Sequence, residues 1–462
     1  MNRIALRANI VLMIAALLLV GIGLFVAEYT MEAEEWIMTN GSPHIYDEKN
    51  DISTGVVTDR DGVLLLDTRD GRTYSNLAQI RISTVHWLGD RARNISSQIL
   101  NAYDAELSGY NAFNGVYSYS GNGGVMELTL SAELQMVALE ALGNYKGTVA
   151  VYNYKTGEIV CAVSTPGLDP DDPPTITDEN KETYDSIYYH RFIQSVYIPG
   201  SIFKIVTLAA ALEENPDVLH QKFTCTGKYQ IGKKVITCAG THWDQDLKTA
   251  FKNSCNCAFA QIAQELGGET MAKYVKQFGL TDSISFDGFT TAAGNYSIAD
   301  EDNNGNDYEV AWSGVGQYKD QINPCAFMTF VGAVANGGVP TMPYVVDQIT
   351  CDGSKTYEAS TDHGSRIMSK ETAELICEYM AANVSEKYGS KNFPGLTVGA
   401  KTGTGEVGGN KKPNAMFTGF VLDEKYPLAF IITAEDGGYG SSVCMPIASK
   451  VITACKEVLG ES

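Results

Sequence analysis

The chain has 462 residues, 44% hydrophobic and 19% charged, with 55 Asp and Glu against 34 Lys and Arg for a formal net charge of -21. So acidic a balance argues against nucleic acid as a partner and suits a soluble body outside a membrane, while saying nothing about a reaction. Ten cysteines are too few for a disulfide scaffold at this length, and neither a CxxC pair nor an HExxH is present to suggest a metal.

The first element is apolar. From Ile10 to Ala27 the chain carries no charge. At about 1.5 Å of rise per residue, a helix of that length just crosses a bilayer core of about 30 Å. Arg3 and Arg7 precede it and Glu28, Glu32, Glu34 and Glu35 follow, which predicts a cytoplasmic N-terminus with everything else outside. A cleaved signal peptide has a shorter apolar region and a small-x-small exit, and Phe25-Val26-Ala27 is a poor cleavage site. Residues 1–27 therefore read as a cytoplasmic tip and single-pass anchor in the cell membrane, and no second span follows. The remainder is long enough for two or three domains with a substantial core.

Residues 28–125 mix strand-like runs with turns, including the Asp61-Gly62 hairpin signal between Val56-Val57-Thr58 and Val63-Leu64-Leu65. A small β-rich pedestal is expected there. Residues 126–462 form the main domain. They open with a helical stretch from Ala132 to Leu142, stopped by Gly143, and a hairpin from Gly147 to Val163. Amphipathic helices follow, then strands at Met416–Leu422 and Leu428–Thr433 and a helix at Ile447–Leu459. Helices combined with hairpin-linked strands imply an α+β fold with an antiparallel sheet.

Three short patterns carry the chemistry. Pro199-Gly200 breaks the chain before Ser201, and Ile202, Phe203, Ile205, Val206, Leu208, Ala209, Ala210 and Leu212 then form a helix apolar on nearly every side, which must be buried. Ser201 thus lies at the first turn, where free N–H groups and the dipole favour developing negative charge. Lys204 is one turn further on. A serine hydroxyl needs a base to become a nucleophile, and a lysine lowered by burial or by a neighbouring cation can serve. This is the only Ser-x-x-Lys in the chain.

The other two patterns have decoys. Ser-x-Asn occurs at Ser120, Ser254 and Ser390, and Lys-Thr-Gly at Lys155 and Lys401. Lys155-Thr156-Gly157 is the polar tip of the hairpin, with a solvated lysine expected. Val398-Gly399-Ala400-Lys401-Thr402-Gly403-Thr404-Gly405 is small throughout, which lets a ligand lie against a strand edge. Ser254-Cys255-Asn256 precedes Ala258, Phe259, Ile262, Ala263 and Leu266 at helical spacing and is expected to cap a buried helix at a cleft, whereas the other two copies read as loops.

With these residues in hand, the chain resembles the penicillin-recognising serine enzymes, and among them the class B penicillin-binding proteins. Tyr197-Ile198-Pro199-Gly200-Ser201-Ile202-Phe203-Lys204 and Asn253-Ser254-Cys255-Asn256 match closely. Val315-Gly316-Gln317 with Asn323-Pro324, Ala335-Asn336-Gly337-Gly338, and Lys401-Thr402-Gly403-Thr404 followed by Met416-Phe417-Thr418-Gly419-Phe420 are similar, with a weaker echo at Asp59-Arg60-Asp61-Gly62. The chain departs from the family at His190, where Asn is common, at Ile202, where Thr is common, and before Gly55, where Arg is common.

The resemblance implies an antiparallel sheet flanked by helices, an all-helical lobe, and a peptidoglycan D,D-transpeptidase that cross-links stem peptides. Ser201 would attack the carbonyl between terminal D-alanines with Lys204 taking its proton, although the acylation base is disputed for these motifs. The N–H groups of Ser201 and Thr404 would hold the oxyanion. Ser254 would relay a proton to the leaving amine, Asn256 would bind the donor amide, and Lys401 and Thr402 would take the terminal carboxylate, beside Gly403. β-Lactams would trap Ser201 as an ester, and no cofactor is called for. No polymerising glycosyltransferase domain fits between residues 28 and 125, so polymerisation would need a polytopic membrane partner. Readings that compete are a β-lactamase, which needs a group to activate water for deacylation, a D,D-carboxypeptidase, which differs only in its acceptor, and a non-catalytic β-lactam sensor or scaffold.

Two metal readings are set aside at this point. Asp300-Glu301-Asp302-Asn303-Asn304-Gly305 begins like a calcium loop, but Ala311 stands where a bidentate Glu is required. Cys255 and Cys257 flank Asn256 without a second ligand pair and read as small buried side chains, while Cys225 and Cys238 could bridge across a turn in an oxidising compartment.

Overall fold

The computed structural model describes residues 2–37, 53, 55–110, 117–296, 298, 307–409 and 411–460. The acidic 300–305 segment lies outside them. Helix α1 (Asn2–Ile37) contains an apolar window that the rest of the protein leaves uncovered, and it is the one helix among the described residues long and apolar enough to cross a membrane.

The N-terminal region carries strands β1 (Val56–Thr58), β2 (Leu64–Asp67) and β3 (Thr73–Tyr74), then short helices α2 (Ala78–Leu88), α3 (Gln98–Ala102) and α4 (Asp104–Ser108), and strand β4 (Gly124–Leu128). The expected hairpin is present, since β1 and β2 pair antiparallel across the Asp61-Gly62 turn. The buried Asp59 carboxylate closes it, accepting from the N–H groups of Asp61 at 3.0 Å, Val63 at 2.7 Å and, at the head of the next helix, Ala132 at 2.8 Å. Helix α5 (Ala132–Leu142) is capped by Ser131 and ends at Gly143, as the pattern predicts. Strands β5 (Gly147–Asn153) and β6 (Ile159–Thr165) form the next hairpin.

Beyond the short helix α6 (Arg191–Gln194) stands the buried helix α7 (Lys204–Glu214), followed in the chain by β7 (Phe223–Cys225), β8 (Lys228–Ile231), β9 (Lys234–Thr237), β10 (Trp243–Gln245), α8 (Leu247–Asn253), α9 (Asn256–Leu266), α10 (Gly268–Gln277), β11 (Ser285–Phe286), β12 (Phe289–Thr290) and α11 (Asp307–Ser313). Helix α7 packs on α9 and α10. These make the helical lobe. The chain then returns through α12 (Pro324–Ala335), β13 (Val346–Cys351), β14 (Ser354–Glu358), α13 (Lys370–Asn383), β15 (Val398–Gly405), β16 (Asn414–Val421), β17 (Leu428–Ala434) and α14 (Cys444–Val458).

Two sheets result. The larger core sheet is antiparallel, in the order β15-β16-β17-β5-β6, and its residues alternate between two apolar cores. Val149, Val151 and Phe417 face α5 and α14, while Ala150, Tyr152 and Met416 face the core shared with α7, α12 and α13. The second sheet has the order β14-β13-β4-β1-β2-β3. The division expected near residue 125 runs through this sheet, because β13 and β14 come from 346–358 and pair beside β4. Strands β1–β4 alone would leave β4 with an open edge, and an unpaired edge is a liability that the later hairpin covers.

Candidate active site

Four segments converge where the core sheet meets the helical lobe. The first is the turn Pro199 to Lys204. Residues Gly200–Phe203 form one 3₁₀ turn ahead of α7. In a 3₁₀ turn the side chains at i and i+3 eclipse, so Ser201 and Lys204 line up, and Lys204 Nζ lies 2.7 Å from Ser201 Oγ. The turn is pinned from both sides. Tyr197 exchanges backbone hydrogen bonds with Ile322, and the Gly200 N–H donates to Gly316 O at 2.7 Å. Gly200 has φ +56, and a Cβ there would collide with the backbone carbonyl of Thr404.

The second segment joins α8 to α9. Ser254 sits between them in the left-handed region, with φ 55 and ψ 42, and this bend turns its hydroxyl inward. Cys255 is the N-cap of α9, and Asn256 is the first helical residue rather than the cap. Lys204 Nζ donates to Asn256 Oδ1 at 2.8 Å and to Ser254 Oγ at 3.3 Å. The third segment is β15, the edge strand of the core sheet, whose Lys401 Nζ reaches Ser254 Oγ at 2.9 Å. Ser201, Lys204, Ser254, Asn256 and Lys401 therefore form one connected set.

Both lysines are fully buried. Every hydrogen-bond partner of the two ammonium groups is a hydroxyl, amide or carbonyl oxygen, and among the described residues neither has an acid in ion-pair reach. Aromatic rings sit where counter-ions would otherwise be, Phe259 beneath Lys204 and Phe251 beneath Lys401. Burial lowers Lys204 to about 7. Burial, and after it the charges of Lys204 and Lys387, hold Lys401 well below the ordinary lysine range. A neutral amine next to a hydroxyl can take its proton. A buried cation without an anion is set to receive one from a ligand.

Thr402 stands apart from this set. Strand alternation turns it to the opposite face of β15, where its hydroxyl lies 3.1 Å from Tyr388 OH and its N–H donates to the same oxygen at 3.2 Å. The small residues of β15 also have a different reason from the expected one. A Cβ at Gly403 would lie 2.7 Å from Pro199 O, and one at Gly405 would collide with Ile198 O, so these glycines make room for the serine turn rather than for a ligand alone. Thr404 O accepts from Gln317 Nε2 at 2.9 Å, which ties the end of β15 to the fourth segment, Gly316-Gln317.

Several contributors were not legible beforehand. Tyr388 ends a π-helical turn, Val384–Tyr388, that no local pattern announces. Lys387 of that turn donates to Lys252 O at 2.7 Å and adds positive field near Lys401. Arg191 and Tyr197 both donate to Glu435 Oε1, at 2.9 and 3.0 Å, and fix the entry to the serine turn. His190 is buried against Trp87, and neither ring nitrogen has a hydrogen-bond partner among the described residues. The premise that Cys255 and Cys257 lack a second pair is corrected by the fold, which brings Cys225 and Cys238 beside them.

A serine held by one buried lysine, with a second serine shared between that lysine and another, in an α+β body with a helical lobe, is the arrangement of the penicillin-recognising class. The chain belongs to the family of the penicillin binding protein transpeptidase domain, whose model matches residues 147–453. Stage V sporulation protein D of Bacillus subtilis (strain 168) is 29% identical over 362 residues, covering 72% of this chain and 54% of that protein, so this chain spans about half of its length. Peptidoglycan D,D-transpeptidase PbpA of Mycobacterium tuberculosis (strain CDC 1551 / Oshkosh) is 26% identical over 391 residues, 77% of each. Among solved structures, the D,D-transpeptidase domain of a peptidoglycan glycosyltransferase from Eggerthella lenta superposes with a TM-score of 0.75 at 27% identity, over 88% of this chain and 99% of that one. An acyl-enzyme complex of penicillin-binding protein A from M. tuberculosis shares the fold, with a TM-score of 0.74 at 24% identity over 87% of this chain and 98% of that one.

Proposed function

We infer that the protein is a serine-type peptidoglycan D,D-transpeptidase, acylated at Ser201 and inhibited by β-lactams. The observation that carries this is the closed set of contacts among Ser201, Lys204, Ser254 and Lys401, in which no carboxylate takes part. Neutral Lys204 removes the Ser201 proton as Oγ attacks the carbonyl between the terminal D-alanines. The N–H groups of Ser201 and Thr404 receive the oxyanion, in keeping with the close approach of the Thr404 backbone to Gly200. Ser254, shared between the two lysines, passes a proton to the departing amine. Asn256 binds the donor amide, and Lys401 and Thr402 receive the terminal carboxylate, with Tyr388 holding Thr402 in place. An amine of a second stem peptide then takes the acyl group.

A β-lactamase needs a group that activates water for deacylation, and the turnover experiment below separates that reading from transpeptidation. The α1 helix with Arg3 and Arg7 before it supports a single-pass anchor with a cytoplasmic N-terminus and the catalytic body outside. Glycan polymerisation would fall to a separate polytopic membrane glycosyltransferase, and failure of such a protein to co-purify with this chain would sink that assignment. The acidic net charge speaks against nucleic acid.

Intact-mass spectrometry of the full chain with a β-lactam, followed over hours, tests the reading. A persistent single adduct, lost in Ser201→Ala, is expected. Rapid turnover to hydrolysed drug would point to a β-lactamase, and no adduct would leave a non-catalytic scaffold. Stem peptides with and without an amine acceptor then separate transpeptidation from carboxypeptidation.

A further inference from the structure

We propose that Cys225, Cys238, Cys255 and Cys257 hold one zinc ion, and that this ion clamps the Ser254-Cys255-Asn256 segment in its catalytic position. The four residues come from separate elements. Cys225 ends β7, Cys238 follows β9, Cys255 is the N-cap of α9 and Cys257 lies in its first turn. All four sulfur atoms lie within 4.8 Å of one another, and Cys238 Sγ is 4.0 Å from Cys255 Sγ. Thiolates about 2.3 Å from a tetrahedral zinc stand roughly 3.8 Å apart, so small movements complete the geometry. A disulfide requires sulfurs at about 2.05 Å, and here all four thiols are separate.

The donor set selects the metal. Four soft thiolates in a tetrahedron suit zinc, and calcium or magnesium, which take oxygen, are excluded by it. Cys225, Cys255 and Cys257 are fully buried while Cys238 is partly exposed, which leaves one side by which an ion can enter. The surroundings suit thiolates. Two of the four lie at the N-terminal end of α9, where the helix dipole favours negative sulfur, and the Asn256 N–H donates to Cys238 Sγ at 3.3 Å. His242 Nδ1 stands 3.6 Å from Cys238 Sγ, outside the set. Each zinc–sulfur bond replaces an S–H, and the protons pass to solvent.

The link to the active site is short. Asn256 lies between two of the ligands, its Nδ2 donates to Thr237 O next to a third, and its Oδ1 accepts from Lys204. An ion joining β7, the β9 end and α9 would therefore fix both Asn256 and the left-handed bend at Ser254. This positioning role rests on the acyl-transfer reading. The metal site does not.

The test begins with the full-length protein purified in detergent without chelators, its metals measured by inductively coupled plasma mass spectrometry. About one zinc per chain is expected, at least tenfold less in Cys238→Ser, and no change in Cys377→Ser, a cysteine outside the cluster. Replacement of the zinc by cobalt in the wild type should give thiolate-to-cobalt charge-transfer bands with tetrahedral d–d bands, which decides the matter even if Cys238→Ser does not fold. No stoichiometric metal after incubation with zinc, stoichiometric iron instead, or an intact mass lowered by disulfide formation would each overturn the assignment. Removal of zinc by a chelator should slow labelling of Ser201 by a fluorescent penicillin roughly tenfold or more, with recovery on adding zinc back. An unchanged rate would overturn the positioning role. If Ser201 is never labelled with or without zinc, the acyl-transfer reading fails, and the metal content still decides the site.

Discussion

Lys155-Thr156-Gly157 and Lys401-Thr402-Gly403 are the same tripeptide in two settings. In the first, Asn153 Oδ1 gathers the N–H groups of Lys155 and Thr156, and the tripeptide is the tip of the β5–β6 hairpin with its lysine exposed. In the second, it lies in the middle of an edge strand, with Phe417 and Thr418 opposite and the serine turn packed against it. The lysine of the tip reaches Asn336 Oδ1 in solvent at 2.7 Å, whereas the lysine of the strand is sealed from water beside Ser254. A motif thus acquires chemistry from burial and from the company its side chains keep. The glycine is demanded in both places, for different reasons, by φ +95 at Gly157 and by the Pro199 carbonyl at Gly403.

The sharpest way to break this comparison is to remove one charge from each copy. Lys401→Met keeps the length of the side chain and loses both the amine that a ligand carboxylate would meet and the partner of Ser254. Acylation of Ser201 by a β-lactam should fall roughly 10²- to 10⁴-fold, measured as the second-order rate constant. A fall of less than about tenfold would mean that the buried copy is structural.

The pH dependence follows in size. With Lys204 at about 7 because of burial, its neutral form is the base, so the acylation rate should rise about tenfold per pH unit below 7 and level off above it. Stability moves with the same sign. The unfolded lysine, near its ordinary 10.5, binds a proton that the folded one has lost between about 7 and that value. Unfolding free energy from this group therefore rises with pH through that window, and the cost of the buried charge is fully present below 7. A denaturation series across this range, compared with Lys204→Met, isolates the contribution.

How much of this could be read in advance depended on distance along the chain. Helix α5 with its Ser131 cap and Gly143 stop, the β5–β6 hairpin and the apolar anchor were all visible, because each is set by neighbours within a turn or two. The convergence of Ser201, Lys204, Ser254, Asn256 and Lys401 was expected only through the family resemblance, since local periodicity cannot bring 201 and 401 together. The β13–β14 hairpin joins β4 across more than two hundred residues, and nothing in its local pattern names that partner. The four-cysteine cluster was hidden for the same reason, since nothing local brings the pair Cys225 and Cys238 beside the pair Cys255 and Cys257. Thr402 shows a finer limit. The resemblance implies a substrate contact, and the fold adds a protein partner for its hydroxyl, Tyr388, that the sequence does not name.

That last contact yields a smaller effect. Tyr388→Phe keeps the ring against Phe417 but removes the oxygen shared by the Thr402 hydroxyl and N–H. Loss of one such network costs about 0.5–1.5 kcal/mol, so acylation should slow about 2- to 10-fold and the adduct should still form. A loss as large as that of Lys401→Met would mean that Tyr388 acts on the ligand directly.

The smallest effect belongs to the decoy. Lys155→Met gives up the hydrogen bond to Asn336 and a loose contact of its ammonium with the Tyr154 ring at 5.6 Å. Both are at the surface, where such contacts change stability by no more than about 0.5 kcal/mol. The turn itself is held by Asn153 and Gly157, which the substitution leaves alone. Acylation should therefore match the wild type within error at every pH. A change in acylation would show that the hairpin tip communicates with β15 through the core sheet, since β5 is separated from β15 by two strands, β17 and β16. In that case the two copies of the tripeptide would no longer be independent, and burial alone would not account for the difference between them.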